Sequence, residues 1–221
     1  MDRQFVSYPK SGRSWIRYTL HLLGLDNRIR FHHDGCEFSN PSRPPLALDF
    51  AARLAAHSDG GRVVHLSRDP RDVMVSMYFQ ITGRMRDTFD FAGDISAFIR
   101  DEYFGAANLL EFDRQWQELC RRGLALCVTY ESCHADLSGT MRRILAWYEF
   151  DVSDRALRSA CEGANFEKMR MLELSGTFDE RWLRPRNGAT KTRRGIVGGY
   201  VDSLPAADIA FFEQLTAAAA R

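Results

Sequence analysis

Long apolar runs are missing from this 221-residue chain, and no stretch approaches the roughly 18 residues that would predict a membrane span. An excess of one charge is missing too. Thirty basic against 29 acidic residues leave a formal net charge of +1, which excludes a global pull toward nucleic acid or a membrane surface. Any anion site must therefore come from local clustering. Cysteine is scarce: Cys36, Cys120, Cys127, Cys133 and Cys161 are odd in number and form no Cys-x-x-Cys pair. That pattern argues against a disulfide framework and predicts reduced thiols in a cytoplasmic protein. No ligand cluster has metal spacing, so no metal is implied. The first apolar strand begins near Phe5, which leaves no room for a targeting segment ahead of it.

What is present is ordinary globular composition, with 45% apolar and 27% charged residues and no repeat or interdomain linker. A single domain over 1–221 is expected, large enough for a continuous buried sheet. Apolar runs predict strands at Phe5–Tyr8, Ile29–His32, Arg62–Leu66 and Leu124–Thr129. Helical spacing covers Ser14–Leu23, Phe50–His57, Pro70–Phe79, Asp94–Tyr103, Ala107–Arg122, Gly139–Tyr148 and Asp154–Glu162. Arg43-Pro44-Pro45 marks an irregular loop, and Asp69 is placed to cap a helix whose first position is Pro70. Strands alternating with helices predict an α/β fold, a parallel sheet of four or five strands with helices on both faces. Ligands of such sheets sit beyond the carboxyl ends of the strands.

Tyr8-Pro9-Lys10-Ser11-Gly12-Arg13-Ser14-Trp15 lies between the first strand and the first helix. A small-residue turn carrying a lysine, set between strand and helix, is a recipe for holding a phosphate. Backbone N–H groups and the helix N-terminus point at the anion, and the lysine adds a full charge. The order differs from that of an ATPase loop, where Gly-Lys-Ser/Thr closes the motif. A second signal follows the Arg62 strand, where Arg68 leaves the strand end and Ser76 lies eight residues on. A guanidinium fork and a hydroxyl can cradle a second phosphate. Third, six basic residues and no acidic one stand between Arg181 and Arg194, ending in Lys191-Thr192-Arg193-Arg194-Gly195.

In this order the segments resemble the cytosolic-type sulfotransferases that use 3′-phosphoadenosine 5′-phosphosulfate (PAPS), here as a compact, bacterial-like member. The resemblance spans residues 5 to 200. It implies a P-loop-containing sulfotransferase domain in which Lys10 stabilises the leaving 5′-phosphate and Ser11, Gly12, Arg13 and Ser14 donate to it. Arg68 and Ser76 would contact the 3′-phosphate, as would Arg193, Arg194 and Gly195 in a segment similar to the family's Arg-Lys-Gly-x-x-Gly-Asp-Trp loop. The chain departs from that loop at Gly199 and Tyr200, where the family usually has Asp and Trp. Trp15, Tyr130 and Phe166 would face the adenine; for each taken alone, core packing is the commoner fate.

The family's general base is a histidine between the two phosphate motifs. Five are available: His21, His32, His33, His57 and His65. His21 in a helix and His65 in a buried strand read as structural, and His57 before a Gly-rich turn reads as surface. The family's Lys-x-His spacing favours His32, with Arg30 for the lysine; the His33-Asp34-Gly35 turn favours His33, and Asp34 is placed to orient a neighbouring imidazole. Only one of the pair can face the site if the strand continues. The implied donor is PAPS without a metal, and the implied acceptor is a small molecule or carbohydrate bearing a hydroxyl, with Phe79, Met85, Phe89, Phe91 and Tyr103 as candidate cleft residues or core. Two rival readings stand beside it: a P-loop kinase using ATP, and a non-catalytic module binding 3′-phosphoadenosine 5′-phosphate (PAP).

Overall fold

Four parallel strands make one sheet in the order β2-β1-β3-β4, with β1 at Arg3–Ser7, β2 at Arg30–His32, β3 at Arg62–Ser67 and β4 at Ala125–Thr129. The computed structural model describes residues 2–39, 42, 46, 48–58, 60–178 and 180–219. The predicted loop at Arg43-Pro44-Pro45 lies outside the described residues. Helices α1 (Arg13–Leu22), α2 (Phe50–His57), α3 (Pro70–Phe79), α4 (Ile95–Arg100) and α5 (Ala106–Arg121) precede β4. After it come α6 (Tyr130–Ala135), α7 (Leu137–Trp147), α8 (Asp154–Gly163), α9 (Phe166–Ser175) and α10 (Ala206–Ala219).

The strands alternate between two cores because successive side chains leave opposite faces of a sheet. Phe5, Val64, Leu66 and Val128 point to one face, where Ile16, Leu20, Met141, Ile144, Tyr148 and Leu157 cover them from α1, the α7 segment and α8. Val6 and Val63 point to the other, against Val73, Phe112, Trp116 and Phe212 from α3, α5 and α10. His65 shares this second face; its ring stacks 5.4 Å from Trp116 and its Nε2 lies 3.4 Å from an Asp113 carboxylate oxygen. The chain leaves β1 for β2 on one side and returns to β3 on the other. That switch point opens a crevice at the carboxyl end of β1.

Local chemistry sets several boundaries. Asp69 accepts from the Arg71 amide and Pro70 opens α3, as the sequence predicts. The far end of α3 runs into a π-helical turn at Gln80–Arg84, where the Met85 N–H reaches Gln80 O at 2.9 Å. A capping box at Thr129 and Ser132 starts α6 directly at the end of β4.

Two expectations are corrected. His57 is buried, with its ring 4.9 Å from Trp116 and Nε2 3.9 Å from Asp34, because α2 turns that side chain inward before the glycine turn. Cys120 and Cys127 are joined in a disulfide, while Cys36, Cys133 and Cys161 are free. The turn from α5 into β4 brings their Cα atoms to 5.9 Å, which a seven-residue spacing alone does not announce. Thiol titration of the denatured, unreduced protein should count three thiols rather than five. Replacing both Cys120 and Cys127 by serine should lower the unfolding free energy by about 2–3 kcal/mol in denaturant titration, the loss expected for so short a closed loop.

Candidate active site

The crevice beyond β1 is a cavity of ≈ 450 Å³. Its floor is the loop from β1 to α1. Lys10 and Gly12 both have positive φ (72° and 101°), and Gly12 has no room for a side chain: a Cβ would sit 2.4 Å from the Tyr130 ring. The turn delivers the chain to the N-terminus of α1, which has no side-chain cap, so the first amides and the positive end of the helix dipole stand at the cavity. Lys10 Nζ donates to Gln80 Oε1 (3.0 Å) and lies 3.5 Å from Lys191 O. Burial, reinforced by the charge of Arg84, pushes this ammonium down to about 7.

Arg68 comes from the end of β3. Its guanidinium lies 4.1 Å over the Tyr130 ring and 3.4 Å from an Asp72 oxygen, and it donates to Ile196 O at 2.9 Å. Asp72 is buried and accepts from the Gly198 and Tyr200 amides at 2.8 and 2.9 Å. Those bonds dock the C-terminal basic segment onto α3 despite the departure at Gly199 and Tyr200, and Arg71 packs 4.1 Å from the Tyr200 ring. Glu173 on α9 performs the same service upstream. Its fully buried carboxylate accepts from the Lys191 and Thr192 amides, from Thr192 Oγ1 (2.7 Å) and from Arg84 Nη1 (3.3 Å). Gly195 then passes directly over Phe166, where a Cβ would meet the ring at 2.2 Å.

An aromatic wall closes one end. Trp15 donates through Nε1 to Ala164 O (2.6 Å), with Tyr130 and His134 edge-on at 5.7 and 5.0 Å. At the other end stands His33. Its Nδ1 lies 2.7 Å from Ser7 O, an acceptor only, so the proton sits on Nδ1 and the lone pair on Nε2. Arg13 Nη2 donates to that lone pair at 2.7 Å. Burial, then the charge of Arg13, holds His33 well below the usual imidazole range, and the ring is neutral at pH 7. His32 turns the other way, toward Gln4 Oε1 at 3.0 Å, and burial with the charge of Arg30 lowers it to about 4.

The cavity thus gathers Lys10, Gly12, Arg13, Ser14, Trp15, His33, Arg68, Ser76, Tyr130, Phe166, Arg193, Arg194 and Gly195. Two sequence candidates are not in its wall: His32, and Ser11, which is buried beneath the loop. Asp34 serves Arg53 and His57 instead of His33. The five apolar cleft candidates are not in the wall either. Phe89 and Tyr103 are core, Met85 and Phe91 pack against it, and Phe79 is surface-exposed under Arg193. Sequence reasoning missed Gln80, His134 and Lys191 as cavity residues, and Asp72 and Glu173 as anchors. Lys191 was visible in the basic run and Asp72 in the Arg68-x-Pro70-x-Asp72 pattern; Gln80, His134 and Glu173 carry no local signal.

A family model described as a sulfotransferase domain matches residues 53–220. The chain belongs to the PAPS-dependent sulfotransferase family. Rat sulfotransferase 2B1 is 27% identical over 97% of this chain and 69% of its own length; for human sulfotransferase 2B1 the figures are 26%, 96% and 64%. The chain thus spans about two thirds of these relatives. The crystal structure of mouse sulfotransferase SULT7A1 complexed with PAP superposes with a TM-score of 0.70 at 17% identity, covering 100% of this chain and 84% of that one. The parallel sheet between helices is the fold of these sulfotransferases, and this chain is a sulfotransferase enzyme.

Within this sulfotransferase the Glu173 anchor is testable. Glu173→Ala strands two amides and the Arg84 guanidinium, and removing one partner of a buried pair costs about 3–5 kcal/mol. Hydrogen exchange at the Lys191 and Thr192 amides should accelerate by at least 100-fold while amides of β1 and β3 stay protected.

Proposed function

We propose that this sulfotransferase moves the sulfuryl group of PAPS to a hydroxyl of a small-molecule or carbohydrate acceptor, with Lys10 and His33 facing one cleft as leaving-group acid and general base. The single observation that carries this reading is the half-buried cationic surplus beside a neutral imidazole. Among the described residues Lys10, Arg13, Lys191 and Arg193 line the cavity without an ion pair. Of the atoms on wall residues, Arg13 Nη1, Arg68 Nε and Arg193 Nε are buried with no hydrogen-bond partner. Orphaned donors of this kind are costly and fit a ligand rich in phosphate oxygens. The Trp15–Tyr130 corner with Phe166 suits a planar base. When bound, PAPS supplies the sulfuryl group and a phosphate leaving group.

The chain's own residues do the rest. The loop amides and the α1 terminus hold the 5′-phosphate, and Lys10 meets the charge that grows on the bridging oxygen. Arg68, Ser76, Arg193 and Gly195 hold the 3′-phosphate. His33 takes the acceptor's proton on Nε2, and its Nδ1–H bond to Ser7 O fixes the ring and its tautomer. As in other group transfers, positioning and preorganised charge supply most of the acceleration.

His33→Gln should lower kcat about 10²–10⁴-fold, the usual contribution of a general base, with PAP affinity nearly unchanged. An equally active variant rejects the assignment. The acid limb of the wild-type profile should lie below pH 6.5, since burial and Arg13 keep His33 deprotonated as the pH falls.

Lys10 and Lys191 sit at about 7 and are mostly neutral at pH 8 in the free protein. Bound phosphate favours their charged forms, so PAP binding at pH 8 should take up protons and weaken as pH rises above 7. Calorimetry in two buffers of different ionisation enthalpy reads the uptake, and Lys10→Met should remove a large part of it. Heat independent of buffer would contradict the charge assignment.

A further inference from the structure

Phosphate recognition and leaving-group chemistry account for Lys10, Arg68 and Arg193. Arg194 is paired with Asp202, which leaves two cations of the cavity without work, and both lie at the His33 end. Arg13 spends one guanidinium nitrogen on His33 Nε2 at 2.7 Å, while Nη1 is buried with no partner. The carboxylate whose charge reaches Arg13 is that of Glu37, which is exposed, forms no ion pair with it and accepts from the His33 amide at 3.1 Å. Arg17, the other charge acting on it, repels it. Lys191 donates from Nζ to Trp182 O at 2.8 Å and otherwise stands in the field of Lys10, Arg13 and Arg84, with Glu173 as the opposing charge. Both Arg13 and Lys191 bear on His33.

A guanidinium whose Nη1 is buried and unpartnered calls for an oxyanion, because an unpaired charge in such a place is far costlier than a paired one. The bond to Nε2 adds a second consequence. A lone pair engaged by a guanidinium is not available to accept a proton. An anion on the open edge competes for the same group and draws its N–H bonds away from the imidazole. The two events are coupled by geometry, since an anion bound to Arg13 lies within about 5–6 Å of Nε2, two hydrogen-bond lengths.

We propose that Arg13, assisted by Lys191, is a receptor for an anionic group on the acceptor, so that the preferred acceptors carry a carboxylate, phosphate or sulfate close to the hydroxyl that is modified. Occupation of Arg13 by that group uncaps His33. The proposal rests on the sulfuryl-transfer reading for its meaning, but the subsite can be measured without turnover.

The full chain is saturated with PAP, and in parallel left without it, and titrated with sodium acetate at constant ionic strength. The readout is the ¹⁵N resonance of His33 Nε2. A saturable change is expected in both series, abolished in Arg13→Met and shifted about 10-fold to weaker binding in Lys191→Met, the worth of one charge-assisted hydrogen bond. Arg13→Gln gives a second variant with the same expected loss should the methionine chain fold poorly. No saturable response, or an unaltered response in both Arg13 variants, overturns the proposal. The ratio of PAPS to PAP affinity should be the same in wild type and Arg13→Met. A selective loss for PAPS would assign Arg13 to the transferring group and also overturn it. If PAP fails to raise the melting temperature of the wild-type protein, the sulfuryl-transfer reading falls while the acetate series still reports on the subsite.

Discussion

Asp72 is the point on which the site depends. One buried carboxylate lies 3.4 Å from Arg68 and accepts two amides of the Gly198–Tyr200 turn. It therefore joins β3, α3 and the distant C-terminal segment at a single place. Its pairing with Arg68 holds that guanidinium extended over the Tyr130 ring. Glu173 repeats the device at Lys191 and Thr192. Between the two anchors Arg193 and Gly195 are presented to the cavity, with Phe166 filling the space beneath Gly195.

This arrangement divides the positive charges of the cavity into two kinds. Arg68 and Arg194 have carboxylate partners, Asp72 and Asp202, that position them ahead of any ligand, and Glu173 does the same for Arg84, which is not in the wall. Among the described residues Lys10, Arg13, Lys191 and Arg193 have none, and burial erodes the charge of the two lysines toward neutrality near pH 7. The site is preorganised by the first kind and made ligand-responsive by the second. Such a split lets the empty cavity tolerate several cations without the repulsion that full ionisation would bring.

Where local chemistry decides, the sequence was a sufficient guide. Asp69-Pro70 opens α3 because a cap and a proline at the first helical position act within one turn. The order of strands and helices followed from apolar spacing, and the phosphate-loop composition pointed to the crevice later seen at the sheet's switch point. Where distant contacts decide, it was not. The His32–His33 alternation was readable, but the direction depends on β2 pairing with β1, Val6 opposite His32. Helix α9 has little amphipathic signal, and its Glu173 matters through residues 18, 19 and 89 positions away. His57 looked superficial beside its glycines until Trp116 covered it.

The π-helical turn after α3 has a mechanical meaning. It carries Gln80 to Lys10 and Arg84 to Glu173, so one irregular turn touches both the leaving-group lysine and the anchor of the basic segment. An α-helix advances about 100° per residue. The wider π-helical turn rotates Arg84 relative to Gln80 by less than a regular helix would over the same four steps. It works as a phase shifter, setting how Arg84 meets Glu173 once Gln80 faces Lys10.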